Sequence, residues 1–188
     1  MVRERLQRSA LELFAEHGYD QTTASEIAAH AGVTERTFFR HFPDKREVLF
    51  ASEAELRTLT ANAILKAPTD LDTMPVLRCA FHLVVPLIER NRALAAIQAP
   101  IIRAAPALRE REHAKAAALV DLVAESLQTR GVDQSTALLC ARVGMDTFSV
   151  AIRRWSANPS SGLHNEVDAA FQEIRTLTSA LANHEETP

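Results

Sequence analysis

Apolar positions recur along this chain at helical spacing, and capping residues cut the pattern into segments. From Arg3 to His17, Leu6, Ala10, Leu13 and Phe14 fall at i, i+4, i+7 and i+8, the stripe of one amphipathic helix. Gly18 is placed to end it. Thr23 followed by Glu26 makes a capping box, which predicts a second, short helix through Ile27 and Ala28 to about His30. Ala31-Gly32-Val33 reads as a tight turn, and Thr34 as the N-cap of a third helix, Glu35 to Phe42. Pro43 stops that helix, and Asp44 with Glu47 forms a second capping box.

Beyond these the pattern predicts helices over about Arg46–Lys66, Met74–Glu89, Arg92–Arg103, Ala107–Arg130, Ser135–Ala157 and Leu163–Asn183. Turn and cap residues separate them at Pro68–Asp72, Pro106, Gly131–Asp133 and Asn158–Gly162. Pro86 and Pro100 sit inside apolar stretches and are expected to kink or end their helices. The expected fold is all-α with about nine helices. An N-terminal three-helix unit containing a helix-turn-helix, residues 1–47, would precede a larger helical domain, residues 48–188.

Composition agrees with this pattern. The 188 residues are 47% hydrophobic and 24% charged, with five Gly, eight Pro and few aromatics, so helix formers dominate. No basic run followed by an apolar core opens the chain, and no uninterrupted 18-residue apolar run occurs; the expectation is a cytoplasmic protein with no membrane span. Cys79 and Cys140 are too few and too far apart for a disulfide framework, and read as small buried residues. Neither Cys/His clusters, a phosphate loop nor an adjacent nucleophile and base can be found, so no catalysis, cofactor or metal site is expected.

Charge alone does not argue for a nucleic-acid partner. Residues 1–50 carry seven Lys+Arg against eight Asp+Glu, and the whole chain has a net charge of −3. Any affinity for DNA must come from local placement, above all of Arg36, Arg40, Lys45 and Arg46. Two short helices joined by Ala-Gly-Val are the layout in which the second helix enters a major groove. Ile27, Ala28, Val33, Phe38 and Phe42 are needed for packing, which leaves Glu35, Arg36, Thr37, Phe39, Arg40 and His41 for the other face. Arg36 is suited to bidentate contact with guanine.

The stretch Gly18–Lys45 resembles the DNA-binding domain of the TetR family. It has the Gly-aromatic opening, the paired Thr22 and Thr23, the run Ile27-Ala-Ala-His-Ala-Gly-Val-Thr34, an aromatic pair, His41-Phe42 and Lys45. The resemblance covers about residues 3–50. It implies that Thr34, Phe39, His41 and Lys45 touch phosphate, while Ser25, Glu35, Arg36 and Thr37 approach base edges. Phe39 stands where the family usually has Tyr, which removes one hydrogen bond to phosphate.

The resemblance also implies a homodimer on a palindromic operator in double-stranded DNA, repression relieved by a small molecule, and no enzymatic activity. An alternative is a regulator that answers to a protein partner. For the dimer the apolar stripe Val167, Phe171, Ile174, Leu177 and Leu181, with small Ala141 and Gly144 on the preceding helix, is the expected interface. An effector pocket is expected among the middle helices at Phe81, His82, Val85, Asp121, Met145, Asp146 and Phe148, where polar groups interrupt apolar runs. The sequence names neither effector nor operator.

Overall fold

The computed structural model describes the backbone of residues 2–184 and the side chains of residues 2–179. Nine α-helices and two 3-10 helices account for the regular structure of the described residues, with no strand among them. They are α1 (Val2–His17), α2 (Ala24–His30), α3 (Glu35–His41), α4 (Glu53–Lys66), α5 (Thr73–Arg90), α6 (Arg92–Ala104), α7 (Pro106–Thr129), α8 (Gln134–Ala157) and α9 (Leu163–His184). The chain divides into two compact units. One comprises residues up to Glu55 together with Arg90–Ala116, and the other Leu56–Glu89 and the chain from Ala117.

In the first unit the expected stripe of α1 is buried: Leu6, Ala10, Leu13 and Phe14 pack with Ile27, Ala28, Phe38 and Phe42. Ile101, Ile102, Ala105 and Leu108, from α6 and the start of α7, complete that core. Gly18, at φ +84, ends α1 and donates to the Phe14 carbonyl at 3.1 Å. The α2–α3 turn is a Schellman motif. Gly32 N–H donates to Ala29 O at 3.0 Å and Val33 N–H to Ala28 O at 2.9 Å, with Gly32 at φ +66 where a Cβ is strained.

One expectation about helix boundaries is corrected. The segment after Asp44 is not one helix: a 3-10 helix, Lys45–Phe50, and a turn precede α4. Asp44 does cap it, accepting from the N–H groups of Arg46 and Glu47 at 2.6 and 3.2 Å. The capping box is nevertheless left half-made, because the Glu47 carboxylate turns away to Arg111 and Lys115. Val48 and Leu49 are both buried, so tertiary contacts set the winding here over local preference. Of the two outcomes expected at the internal prolines, ending the helix does not occur: α5 runs on past Pro86 and α6 past Pro100, as the predicted spans have it. Both rings lie on exposed positions, where the carbonyl that loses its N–H partner is not trapped in a core.

The second unit packs α5 against α8 and α9, with the C-terminal part of α7 and most of α4 closing the core. Phe81 on α5 stacks on Phe148 of α8, ring centroids 4.4 Å apart and planes 8° from parallel, and Phe171 of α9 tilts onto Phe81 at 6.0 Å. Arg130, at the end of α7, donates to the carbonyls of Ile64, Ala67 and Pro68 at 3.2, 2.7 and 2.7 Å, which closes the C-terminal end of α4. By length and composition α8 could cross a membrane, but its apolar face, Ala137, Ala141, Phe148, Ala151 and Trp155, lies in this core.

The α2–α3 turn gives a direct test. Gly32→Ala should lower stability by about 1–2 kcal/mol, the cost of a left-handed conformation for a residue with a Cβ. Urea unfolding monitored by circular dichroism measures it, and an unchanged midpoint would contradict the turn geometry.

Candidate nucleic-acid interface

The interface is built on α3, a seven-residue helix with little stability of its own. Its N-cap, Thr34, accepts from the Thr37 N–H at 3.3 Å, and the two hydroxyls lie 3.1 Å apart. The preceding α2 starts on a complete capping box. Thr23 N–H donates to Glu26 Oε2 at 2.7 Å, and Glu26 N–H to Thr23 Oγ1 at 3.2 Å. The backbone hydrogen bond from Thr23 is the chief reason the Glu26 carboxyl is held below its ordinary value, so the cap remains an anion at the helix N-terminus.

One side of α3 is fixed in the core by Phe38 and Phe42, almost fully buried and 5.8 Å apart between ring centroids. Glu35, Arg36, Phe39 and Arg40 then emerge together on the opposite face, at i, i+1, i+4 and i+5. Phe39 is 50% exposed and meets Phe38 edge-on at 5.4 Å, so its ring is oriented from beneath while its outer edge is free. Ser25 is exposed on the first turn of α2, and Thr34 is exposed at the α3 cap. Thr37 and His41 are half-buried. The His41 Nε2 is buried without a hydrogen-bond partner, an unmet polar atom at the end of the same helix.

Lys45 has partners within the chain. Its ammonium is turned inward, donating to the carbonyls of Tyr19 at 2.8 Å and Thr22 at 2.9 Å, and it lies 4.3 Å from the centre of the Tyr19 ring. The group expected on phosphate thus also ties the α1–α2 loop to the start of the 3-10 helix. Thr22 reinforces the same loop, since its hydroxyl is fully buried and donates to Gly18 O at 2.9 Å. Arg3 is likewise engaged, donating to Ala51 O at 3.2 Å with its guanidinium 5.1 Å from the Phe42 ring centre. Arg46 is bound by Asp44 at 2.7 Å, leaving Arg36 and Arg40 as the outward cations of α3.

Sequence inspection does not reveal the ion-pair cluster behind this surface. Glu47 pairs with Arg111 at 2.8 Å and Lys115 at 3.1 Å, and Lys115 pairs in addition with Glu53. Glu47, Lys115 and Glu53 are all largely withdrawn from solvent. More than 60 residues of chain separate the partners, so no local pattern could announce them.

The sequence profile of the bacterial regulatory proteins of the tetR family matches residues 7–52, the segment that forms this interface. The transcriptional regulator TcmR of Streptomyces glaucescens is 36% identical over 84 residues, 45% of this chain and 37% of that protein. FadR of Thermus thermophilus, a TetR-family repressor solved in complex with lauroyl-CoA, is 30% identical, with a TM-score of 0.50 over 90% of this chain and 91% of that one. The chain belongs to the TetR family. SmeT of Stenotrophomonas maltophilia, solved with triclosan, shares the fold at a TM-score of 0.58 and 22% identity, over 92% of this chain and 88% of that one. The matched stretches span less than half the length of the curated relatives.

For a TetR-family chain the remaining candidates are placed unevenly. Of the expected effector residues, Phe81, Val85 and Phe148 are consumed by the core, Met145 packs half-buried against it, and Asp121 and Asp146 point to solvent. His82 reaches across to α9. Asp121 and Asp146, two of the polar interruptions, lie on outward faces of their helices. A groove of about 740 Å³ opens elsewhere in the second unit, along the first turns of α5 and the facing parts of α8 and α9. Met74, Arg78, Leu139, Cys140, Phe171 and Ile174 are among its walls. Burial pushes the Cys140 thiol above its ordinary value, with a further contribution from the Asp133 charge.

The expected dimer stripe is divided in the same way. Ala141, Gly144 and Val167 are buried inside the chain, and a Cβ on Gly144 would lie 2.6 Å from Leu77 Cδ1. Gly144 is without a side chain where Leu77 of α5 comes close, and all three are buried within the chain. Phe171 is nearly buried and Ile174 half-buried, whereas Leu177 is 62% exposed. Leu181 lies outside the described side chains. On α8 the outward apolar residues are Leu138 and Leu139, which the stripe did not include.

The tie made by Lys45 predicts that Lys45→Ala costs about 1–3 kcal/mol of folding stability, the range for hydrogen bonds to a charged group. Chemical denaturation of the parent and variant is the measurement, and equal midpoints would contradict the tie.

Proposed function

We propose that the chain is a homodimeric, DNA-binding transcriptional repressor acting in the cytoplasm. It would hold a palindromic operator through two copies of α3 and be released by a small molecule. The observation that carries the reading is the division of α3 between a core-locked side, Phe38 and Phe42, and an outward face of Glu35, Arg36, Phe39 and Arg40. In this reading residues 1–47 bind DNA and residues 48–188 sense and dimerise. Ser25, Glu35, Arg36 and Thr37 approach base edges; Thr34, Phe39, Arg40, His41 and Lys45 hold the phosphate backbone, and Lys45 also keeps the loop beneath them in register. In this reading the chain acts by positioning charge against DNA and carries out no reaction.

Dimerisation is assigned to the outward apolar residues Leu138, Leu139 and Leu177 of α8 and α9. The effector is a small molecule taken up in the second unit, where the 740 Å³ groove has the volume of a ligand site. To release DNA it needs only a higher affinity for one of two arrangements of the dimer. A protein effector is the second reading, favoured by Leu65 and Leu83, which are 45% and 60% exposed on α4 and α5. A metabolite panel that raises the melting temperature supports the first and not the second.

Specificity is tested by selection from a randomised DNA pool. Arg36→Ala should relax preference at one base pair in each half-site, at a cost of about 1–3 kcal/mol. Phe39→Ala should weaken all sites alike, and Phe39→Tyr should tighten binding slightly without changing the preferred sequence. A full preference retained by Arg36→Ala would remove Arg36 from base reading. Sedimentation of the Leu139→Glu, Leu177→Glu double variant tests the dimer face: a folded monomer is the expected outcome, because two carboxylates cannot be buried there without partners. A folded variant that remains dimeric moves the interface to another face.

A further inference from the structure

Seven histidines are scattered along the chain without metal-ligand spacing, but the second unit brings two of them together. His82 of α5 and His164 in the first turn of α9 are 82 residues apart, yet their Nδ1 atoms lie 2.7 Å from each other. The rings are within 11° of parallel with centroids 5.0 Å apart, as for two imidazoles meeting edge to edge. On its far side His82 Nε2 lies 2.9 Å from Asp168 Oδ1, and the Arg78 guanidinium donates to the same oxygen at 2.9 Å. An ionised carboxylate bound to a guanidinium can only accept, so the His82 Nε2 carries a proton and its Nδ1, in the neutral ring, carries a lone pair. That lone pair is aimed at His164. It needs a positive centre opposite it, either a proton on His164 Nδ1 or a cation.

We propose that His82 and His164 form a two-imidazole site for a divalent transition ion of the zinc, nickel or copper class, which fastens the start of α9 to α5. Moving the His164 proton from Nδ1 to Nε2 turns a second lone pair to the same point, with no net loss of a proton by the neutral pair. Two nitrogens at 2.0–2.1 Å from a tetrahedral ion are about 3.4 Å apart, so the two Nδ1 atoms, which face each other head-on, need to separate by about 0.7 Å and the rings to tilt until both lone pairs converge on the ion. His82 is one-quarter exposed and His164 is exposed, which leaves room for side-chain rotation. The Asp168–His82 hydrogen bond is the outer-shell contact that fixes a metal-bound imidazole in other proteins, with Asp168 as the positioning residue. Imidazole nitrogen selects this class of ion over magnesium or calcium, which prefer oxygen ligands. Asp168 is engaged by His82 and Arg78, and among the described residues no group of three or more His, Cys, Asp or Glu is placed to hold an ion, so solvent completes the coordination and the ion is exchangeable.

The full chain, stripped with a chelator, is titrated with zinc chloride and nickel chloride by calorimetry, with magnesium chloride as the control. The imidazole nitrogens are followed by NMR. One ion per chain is expected, with both Nδ1 signals shifting and both Nε2 atoms protonated in the complex. His164→Asn, on an exposed position, should abolish binding, and Asp168→Asn should weaken it by about 10–100-fold while leaving the stoichiometry at one. Zinc binding that survives His164→Asn, or that fails to perturb the two Nδ1 signals, identifies an adventitious ion only and overturns the site. No binding by a folded parent chain overturns it as well.

Discussion

A seven-residue helix is too short to hold itself, and the DNA-facing end of this protein depends on α3 being held. Every neighbour contributes to that constraint. Phe38 and Phe42 bury one side, Thr34 supplies the missing acceptor at the N-terminus, and the Schellman turn fixes the angle at which α2 hands over to α3. Lys45 and Thr22 then fasten the loop below with hydrogen bonds to backbone carbonyls. The outward presentation of Arg36 and Arg40 is therefore a property of the whole unit. Their own sequence neighbours contribute only the helical phase.

What can be read in advance follows from the range of the forces involved. The helices, both caps of the helix-turn-helix and the buried stripe of α1 rest on contacts within a few residues, and the sequence pattern displays them. The hydrogen bonds of Lys45 to the carbonyls of Tyr19 and Thr22 escape such a reading, because they depend on where the chain folds back. The Glu47–Arg111–Lys115–Glu53 cluster and the His82–His164 contact join segments more than 60 and 82 residues apart, and no periodicity encodes such encounters.

The second unit shows a different limit. Apolar periodicity marks α8 and α9 as amphipathic but does not say which partner their faces meet. Small residues suggest a close approach, and there is one at Gly144, but it is to Leu77 of the same chain. The apolar residues left exposed for an outside partner are Leu138 and Leu139, which the stripe does not pass through, and Leu177, which it does. In a helical bundle most of the pattern is consumed by the core, and the exposed remainder carries the intermolecular information.

The first unit is discontinuous in sequence, since its core needs Ile101, Ile102, Ala105 and Leu108 in addition to the N-terminal helices. On the ribosome, residues up to Glu55 emerge well before the segment that covers them. At about 5–20 residues per second the nascent chain waits several seconds with part of the apolar surface of α1 uncovered. A gene fragment ending after the helix-turn-helix would make that interval permanent. The recognition end of this protein is a late product of its own synthesis, completed only when the chain has grown past Ala116.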